Sequence, residues 1–296
     1  MKHLTVDPRK CNGCGYCVVD CPMGIVRMNA SGVAESVESN ARICLYCGHC
    51  VAVCPPGAIV LNELKEPESL PWIRDYGIVP FSLAPDGCEP SERKHYPTPD
   101  SLRSLIKSKR INRSYRPQLV DRKTVTDLLS GLKYAPSGHN TRAYHLMVVE
   151  GRETLGDLAT LTCQGFKDLL AQGTLSRFDT EVFQKIVDAW EGERIDRIFR
   201  TAHQMVVAYC DSGIAPFRAE LGFCTLLTYF DLLCNSAGLG AAWAGYFMIA
   251  ARTHEPIKDR LRIDRKNTIW GAMMFGYPQF SYELVPRRPE LDIHWL

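Results

Sequence analysis

From Asp100 onward the apolar residues fall at helix and strand spacing. Leu102, Leu105 and Ile106 line one face of a helix that Asp100 or Ser101 can cap. Val125, Leu128, Leu129 and Leu132 repeat that spacing between Thr124 and Tyr134. Phe183–Ala202 alternates acidic and basic groups around Ile186, Val187, Trp190, Ile195, Ile198 and Phe199, which predicts an amphipathic helix. Phe217–Ser236 is apolar nearly all round and predicts a central buried helix. Tyr144–Glu150, Gln204–Cys210, Ala241–Phe247 and Ile269–Gly276 read as strands. Helices and strands mixed in this order predict an α+β layer with a sheet largely covered by helices.

The pattern changes upstream. Residues 62–99 hold Pro67, Pro71, Pro80, Pro85, Pro90, Pro97 and Pro99, and no helical period survives. They predict an extended connector. Its Leu70, Trp72, Ile73, Tyr76, Ile78 and Phe81 predict that it lies along the second domain's surface or a partner subunit and fixes where the clusters sit. Three segments follow: 1–61, the connector 62–99, and 100–296.

Residues 1–61 are organised by cysteine instead. Eight of the thirteen cysteines form two copies of one run, Cys11-x2-Cys14-x2-Cys17-x3-Cys21-Pro22 and Cys44-x2-Cys47-x2-Cys50-x3-Cys54-Pro55. This spacing holds [4Fe–4S] clusters, because three closely spaced thiolates wrap three corners of a cube. Disulfides need an oxidising compartment, and Met1–Asp7 has no apolar stretch to export the chain. Structural zinc uses paired ligands with a longer gap between the pairs. The runs resemble the bacterial two-cluster ferredoxins, in which the fourth cysteine of each run ligates the other cluster. The resemblance assigns Cys11, Cys14, Cys17 and Cys54 to one cluster and Cys44, Cys47, Cys50 and Cys21 to the other. Gly13, Gly15 and Gly48 let the backbone come close to them. The remaining Cys88, Cys163, Cys210, Cys224 and Cys234 read as buried free thiols in a reducing cytoplasm.

Composition narrows the field only modestly. The 46% hydrophobic and 23% charged content is that of a globular protein. A net charge of +2 points to neither nucleic acid nor an anionic membrane. No apolar run reaches the ~18 residues of a membrane span. Gly238-Leu-Gly240-Ala-Ala-Trp243 lacks the third glycine of a dinucleotide fingerprint and sits between a helix and a strand in the wrong order.

Five further segments occur in sequence: Lys109-Arg110-Ile-Asn-Arg113-Ser-Tyr115, Ala135-Pro-Ser137-Gly138-His-Asn140, Ala237–Tyr246, Gly276-Tyr-Pro278 and Val285-Pro-Arg287-Arg288-Pro289. In this order they resemble the nitroreductase-like flavoproteins, over residues 100–296. Fusion to a two-cluster ferredoxin matches a branch of that family in anaerobic prokaryotes. The resemblance implies an intertwined homodimer binding FMN at its interface. The expected phosphate ligands are Lys109, Arg110, Arg113 and Arg287 or Arg288, since a phosphate near −2 calls for several cations. Ser137, Gly138 and Asn140 are expected at the ribityl chain and the flavin's polar edge, and the backbone of Ala244, Gly245 and Tyr246 near its N5 and O4.

Two departures stand out. Ile111 occupies a position where the family often has Ser, and Arg142-Ala143-Tyr144 replaces a common Gln-Pro-Trp run. Arg142 puts a positive charge at the expected pocket, where it favours an anionic acceptor or a reduced flavin, or pairs with a second subunit. The implied activity is an oxidoreductase. An external low-potential donor feeds two [4Fe–4S] clusters, then FMN, then a small organic acceptor such as a nitroaromatic, quinone or conjugated carbonyl. One alternative is an electron carrier or redox sensor without a small substrate, and another is direct donation to FMN by NAD(P)H. No side chain is obligatory for the chemistry. His139, Tyr144 and Tyr246 are candidate proton donors, and Phe178, Trp190 and Phe247 candidate walls.

Overall fold

Two separate short β ladders and one four-stranded sheet carry the chain. The computed structural model describes residues 3–62, 98–282 and 285–296. Most of the expected connector, with Cys88, lies outside the described residues. Contacts divide the chain into two units: Met1–Thr98 with His139–Thr141, and Pro99–Gly138 with Arg142–Leu296.

In the first unit β1 (Leu4–Val6) pairs antiparallel with β4 (Ile59–Leu61), and β2 (Val26–Met28) with β3 (Ala34–Ser36). Two single-turn helices, α1 (Tyr16–Val19) and α2 (His49–Ala52), are each entered through a left-handed glycine, Gly15 at φ 71° and Gly48 at φ 76°. Leu4, Ile25, Val26, Ala34, Ile59 and Leu61 form a small core that also takes in Cys17 and Cys50. So few apolar side chains make a marginal core, and domains of this size commonly depend on a bound metal centre.

The second unit is built on an antiparallel sheet in the order β5 (His145–Glu150), β6 (Gln204–Asp211), β8 (Asn267–Gly276), β7 (Gly240–Trp243). On β6, Met205 and Val207 face one core, while Val206, Ala208 and Cys210 face the other. The first core is closed by α5 (Arg152–Gln172), α6 (Arg177–Glu193), α8 (Gly245–Ala251) and α9 (Pro256–Leu261). The second is closed by α4 (Arg122–Gly131) and α7 (Pro216–Ser236). The expected helix-covered α+β sheet is therefore present. No described helix is long and apolar enough to cross a membrane.

Several element boundaries differ from the sequence reading. α3 (Pro99–Ser108) starts at Pro99, ahead of the expected cap, because proline suits the first helical position. The helix expected over Phe183–Ala202 is α6, which ends where Arg194 turns left-handed at φ 55°. Ile198 and Phe199 reach the core from a loop instead, where the Asp196 carboxylate accepts both of their backbone N–H groups at 2.8 Å. The strand expected over Ala241–Phe247 stops at Trp243, and α8 follows. α7 is not buried all round: Phe217, Leu221, Cys224 and Tyr229 are exposed along one side, whereas Phe223, Leu227 and Phe230 are buried on the other. Of the scattered cysteines, Cys163, Cys210 and Cys234 are buried as expected, and Cys224 is not.

Candidate functional site

The cysteines of the first unit fall into two sets, and each set crosses between the two runs. Burial raises the pKa of the Cys17 thiol, and the neighbouring thiols of Cys54, Cys14 and Cys11 raise it further. Burial pushes the Cys50 thiol up to about 12, and its neighbours are Cys21, Cys47 and Cys44. Backbone N–H groups are aimed at the sulfurs: Ala58 at Cys54 Sγ (3.3 Å), Ala34 at Cys11 (3.5 Å), Ile25 at Cys21 (3.4 Å) and Tyr46 at Cys44 (3.4 Å). A cavity lies beside the second set, lined by Cys21, Cys44, Cys47 and Cys50 with Pro22 and Leu61. Among the described residues no three His, Cys, Asp or Glu side chains close around a single metal ion. A four-iron cube holds its thiolates further apart than one ion does. Two crossed sets of four thiols, with backbone N–H groups aimed at their sulfurs, fit two [4Fe–4S] clusters.

Backbone pairing sets the glycine requirement in these loops. Gly13 has φ +72°, and a Cβ there would lie 2.8 Å from the Gly32 carbonyl oxygen. The corresponding position of the second run is Tyr46, left-handed at φ 47° without being glycine.

In the second unit the 109–116 segment and the Ser137–Gly138 turn lie at different ends of the sheet, and Ala244 meets the middle of β8. At the end where β8 finishes, the Asn112 N–H donates to the Ala241 carbonyl at 3.2 Å and the Arg116 N–H to that of Tyr277 at 2.9 Å. Tyr115 is buried, and its hydroxyl donates to the Asn112 carbonyl at 2.6 Å. These bonds lock the 109–116 segment against β7 and the Gly276–Pro278 turn. A Cβ on Gly240 would strike Asn112, whose Cγ would be only 2.4 Å away. The two outer members of the basic triplet differ in their surroundings. Arg113 is exposed. Lys109 is mostly buried and ion-paired with Asp231 of α7, so its charge is already committed. Arg110 donates through Nη1 to the carbonyls of Lys107 (2.6 Å) and Lys109 (2.7 Å).

The Ser137–Gly138 turn lies at the opposite end, where β5 begins and β6 finishes. Ser137 Oγ accepts the Arg142 N–H at 3.1 Å. His139, Asn140 and Arg142 all have positive φ, at 53°, 53° and 44°. Tyr144 is half-buried and packs edge-on against Phe223 beside the second core. Sequence reading missed Arg218, which sits in the first turn of α7 against Gly138.

Local bonding revises the expectation for Ala244, and burial that for Phe247. The Ala244 N–H donates to the Ala272 carbonyl at 2.9 Å, so it has no donor left for a ligand. Gly245 and Tyr246 open α8 ahead of its first return bond, from the Met248 N–H to the Ala244 carbonyl. Phe247 is wholly buried and cannot wall an open pocket, while Phe178 is exposed and Trp190 donates to Thr160 Oγ1 at 3.2 Å. Arg287 and Arg288 lie exposed in a stretch without regular structure.

Comparison with known proteins agrees with this division. Residues 106–277 match the nitroreductase family, and residues 10–58 match the 4Fe-4S dicluster domain. No curated protein matches the chain. Among solved structures, a nitroreductase with bound FMN from Bacteroides fragilis superposes with a TM-score of 0.54 at 14% identity, covering 66% of this chain and 97% of that one. A nitroreductase with bound FMN from Desulfitobacterium hafniense gives 0.51 at 18% identity, covering 63% and 93%. At these identities the likeness is one of fold.

Proposed function

The chain belongs to the nitroreductase family, and from that premise we propose an oxidoreductase that takes electrons through two [4Fe–4S] clusters to FMN and on to a small organic acceptor. The observation that carries this is the crossing of the two cysteine sets, with Cys54 beside Cys11, Cys14 and Cys17, and Cys21 beside Cys44, Cys47 and Cys50. A two-electron flavin matches two one-electron centres. An external low-potential donor supplies the clusters in a reducing cytoplasm. The acceptor is a nitroaromatic, a quinone or a conjugated carbonyl.

FMN, when bound, supplies the hydride and single-electron chemistry. Arg113 and one of Arg287 and Arg288 are proposed to hold its phosphate, and Arg110 contributes less because its Nη1 donates to the Lys107 and Lys109 carbonyls. Lys109 contributes less, since Asp231 already neutralises it. Ser137, Gly138 and Asn140 are proposed to hold the flavin's polar parts, with the N–H groups of Gly245 and Tyr246 at its reactive edge. Within one chain the basic segment and the Ser137–Gly138 turn lie at opposite ends of the sheet. One flavin meets both only if two copies contribute, which supports a homodimer. The exposed apolar side of α7 supports it too.

Anaerobic purification followed by iron, sulfide and flavin analysis tests the reading. About eight irons and one FMN per chain are expected. Zinc in place of iron, or no flavin, would falsify it.

A further inference from the structure

Arg218 is not placed where folding would put a cation. The first turn of α7 contains no acidic residue, and Ala215 supplies no side-chain cap. The guanidinium therefore stands at the positive end of a 21-residue helix, where a cation is disfavoured. Arg218 is exposed, and among the described residues no carboxylate is recorded within ion-pair distance of it. The closest acid in sequence along the helix, Glu220, faces Arg252 at 3.9 Å.

Its side chain is held against the turn that the proposed function gives to the flavin. A Cβ on Gly138 would lie 3.6 Å from Arg218 Cγ and 3.9 Å from Cδ. Beside it, Ser137 Oγ has accepted the Arg142 N–H, and its own O–H remains available to donate. At the other end of the sheet the expected phosphate cations are depleted. Lys109 is paired with Asp231, Arg110 is drawn to backbone carbonyls, and Ile111 has no hydroxyl. Arg218 and Asp231 share α7 but are separated by about 20 Å along its axis at 1.5 Å per residue. Lys109 and Arg218 of one chain thus cannot close on one phosphate.

We infer that Arg218 is a flavin-phosphate ligand supplied in trans: one copy's Arg218, beside the turn whose Ser137 holds the ribityl chain, meets the phosphate that the second copy's Arg113 also holds. This rests on the proposed FMN site and on its two-copy assembly. A guanidinium suits the role because its planar fork gives two donors to one phosphate.

FMN and riboflavin, which differ only by the phosphate, separate the possibilities. Both are titrated into the deflavinated full chain, with flavin fluorescence as the readout. In Arg218→Ala the Kd for FMN is expected to rise about tenfold or more while that for riboflavin stays within about twofold. Arg218→Lys is expected to keep part of the difference. The inference is overturned if both Kd values are unchanged. It is also overturned if both rise together, which would mean that Arg218 only shapes the turn. A third arm compares 4-nitrobenzoate with its methyl ester as acceptors. If FMN affinity holds but kcat/KM for the carboxylate alone falls, the anion is the acceptor's carboxylate and the phosphate assignment is wrong. A wild-type chain that binds neither flavin would defeat the proposed function itself, and this inference with it.

Discussion

Asp121 caps α4, accepting the Thr124 N–H at 2.9 Å and the Thr124 hydroxyl at 2.7 Å. Those bonds hold its carboxyl below the usual range. Its stabilisation is therefore present above the ordinary carboxylate pKa and lost as pH falls through the lowered one. Asp121→Ala is expected to lower the thermal midpoint at neutral pH, with the gap from wild type closing as the solution is acidified; a gap independent of pH would refute the cap. At Asp231 burial raises the carboxyl pKa and Lys109 pulls it back. Asp231→Asn leaves Lys109 without a counter-charge and is expected to cost about 1–3 kcal/mol in denaturant unfolding. Gly13 and Gly15 share a positive φ, but only at Gly13 would a Cβ meet backbone, 2.8 Å away. Gly13→Ala should therefore lose iron on purification, whereas Gly15→Ala carries only the left-handed strain of about 1–2 kcal/mol and should keep it. The cluster cysteines were legible because their spacing is the ligand pattern. The Lys109–Asp231 pair and the Arg218–Gly138 contact were not, since each joins residues far apart in sequence and neither leaves a local signature.

Among elements, the two cysteine runs and the long helices were readable, and boundaries were lost where apolar runs carry no period. Ala241–Phe247 is buried enough for either a strand or a helix, and the turn at Ala244 leaves no trace in hydropathy. Ile195, Ile198 and Phe199 continue the spacing of α6 past Arg194, although the backbone has already left the helix. α5 went unassigned because Gly156 and Gly165 interrupt its sequence, yet Gly165 sits where His254 and Ala250 leave no room for a larger residue without adjustment. The crossing of cysteines between runs makes a sharp test. Cys54→Ala should empty the cluster that Cys14 serves, leaving about four irons per chain. Adding Cys14→Ala should remove no more iron, whereas adding Cys21→Ala should remove the rest. If the Cys14 and Cys54 losses add, each run holds its own cluster and the crossed assignment fails.

For the whole molecule, the family and the α+β architecture follow from segments legible in sequence, but the assembly of the flavin site does not. Its proposed parts lie at two ends of one sheet, and the proposed second copy would bring them together. Leu221→Asp, on the exposed apolar side of α7, is expected to shift the sedimentation coefficient from that of a dimer to that of a monomer and to release flavin. A flavin-loaded monomer would remove the reason for two copies. The central claim is that clusters and flavin form one electron path. Anaerobic titration with dithionite, read by iron and flavin absorbance, tests it most directly. The account predicts an uptake of about four electrons per chain, one at each cluster and two at the flavin, with the flavin bleached in step. Uptake of only about two electrons, or reduced clusters beside a flavin that stays oxidised, would contradict it.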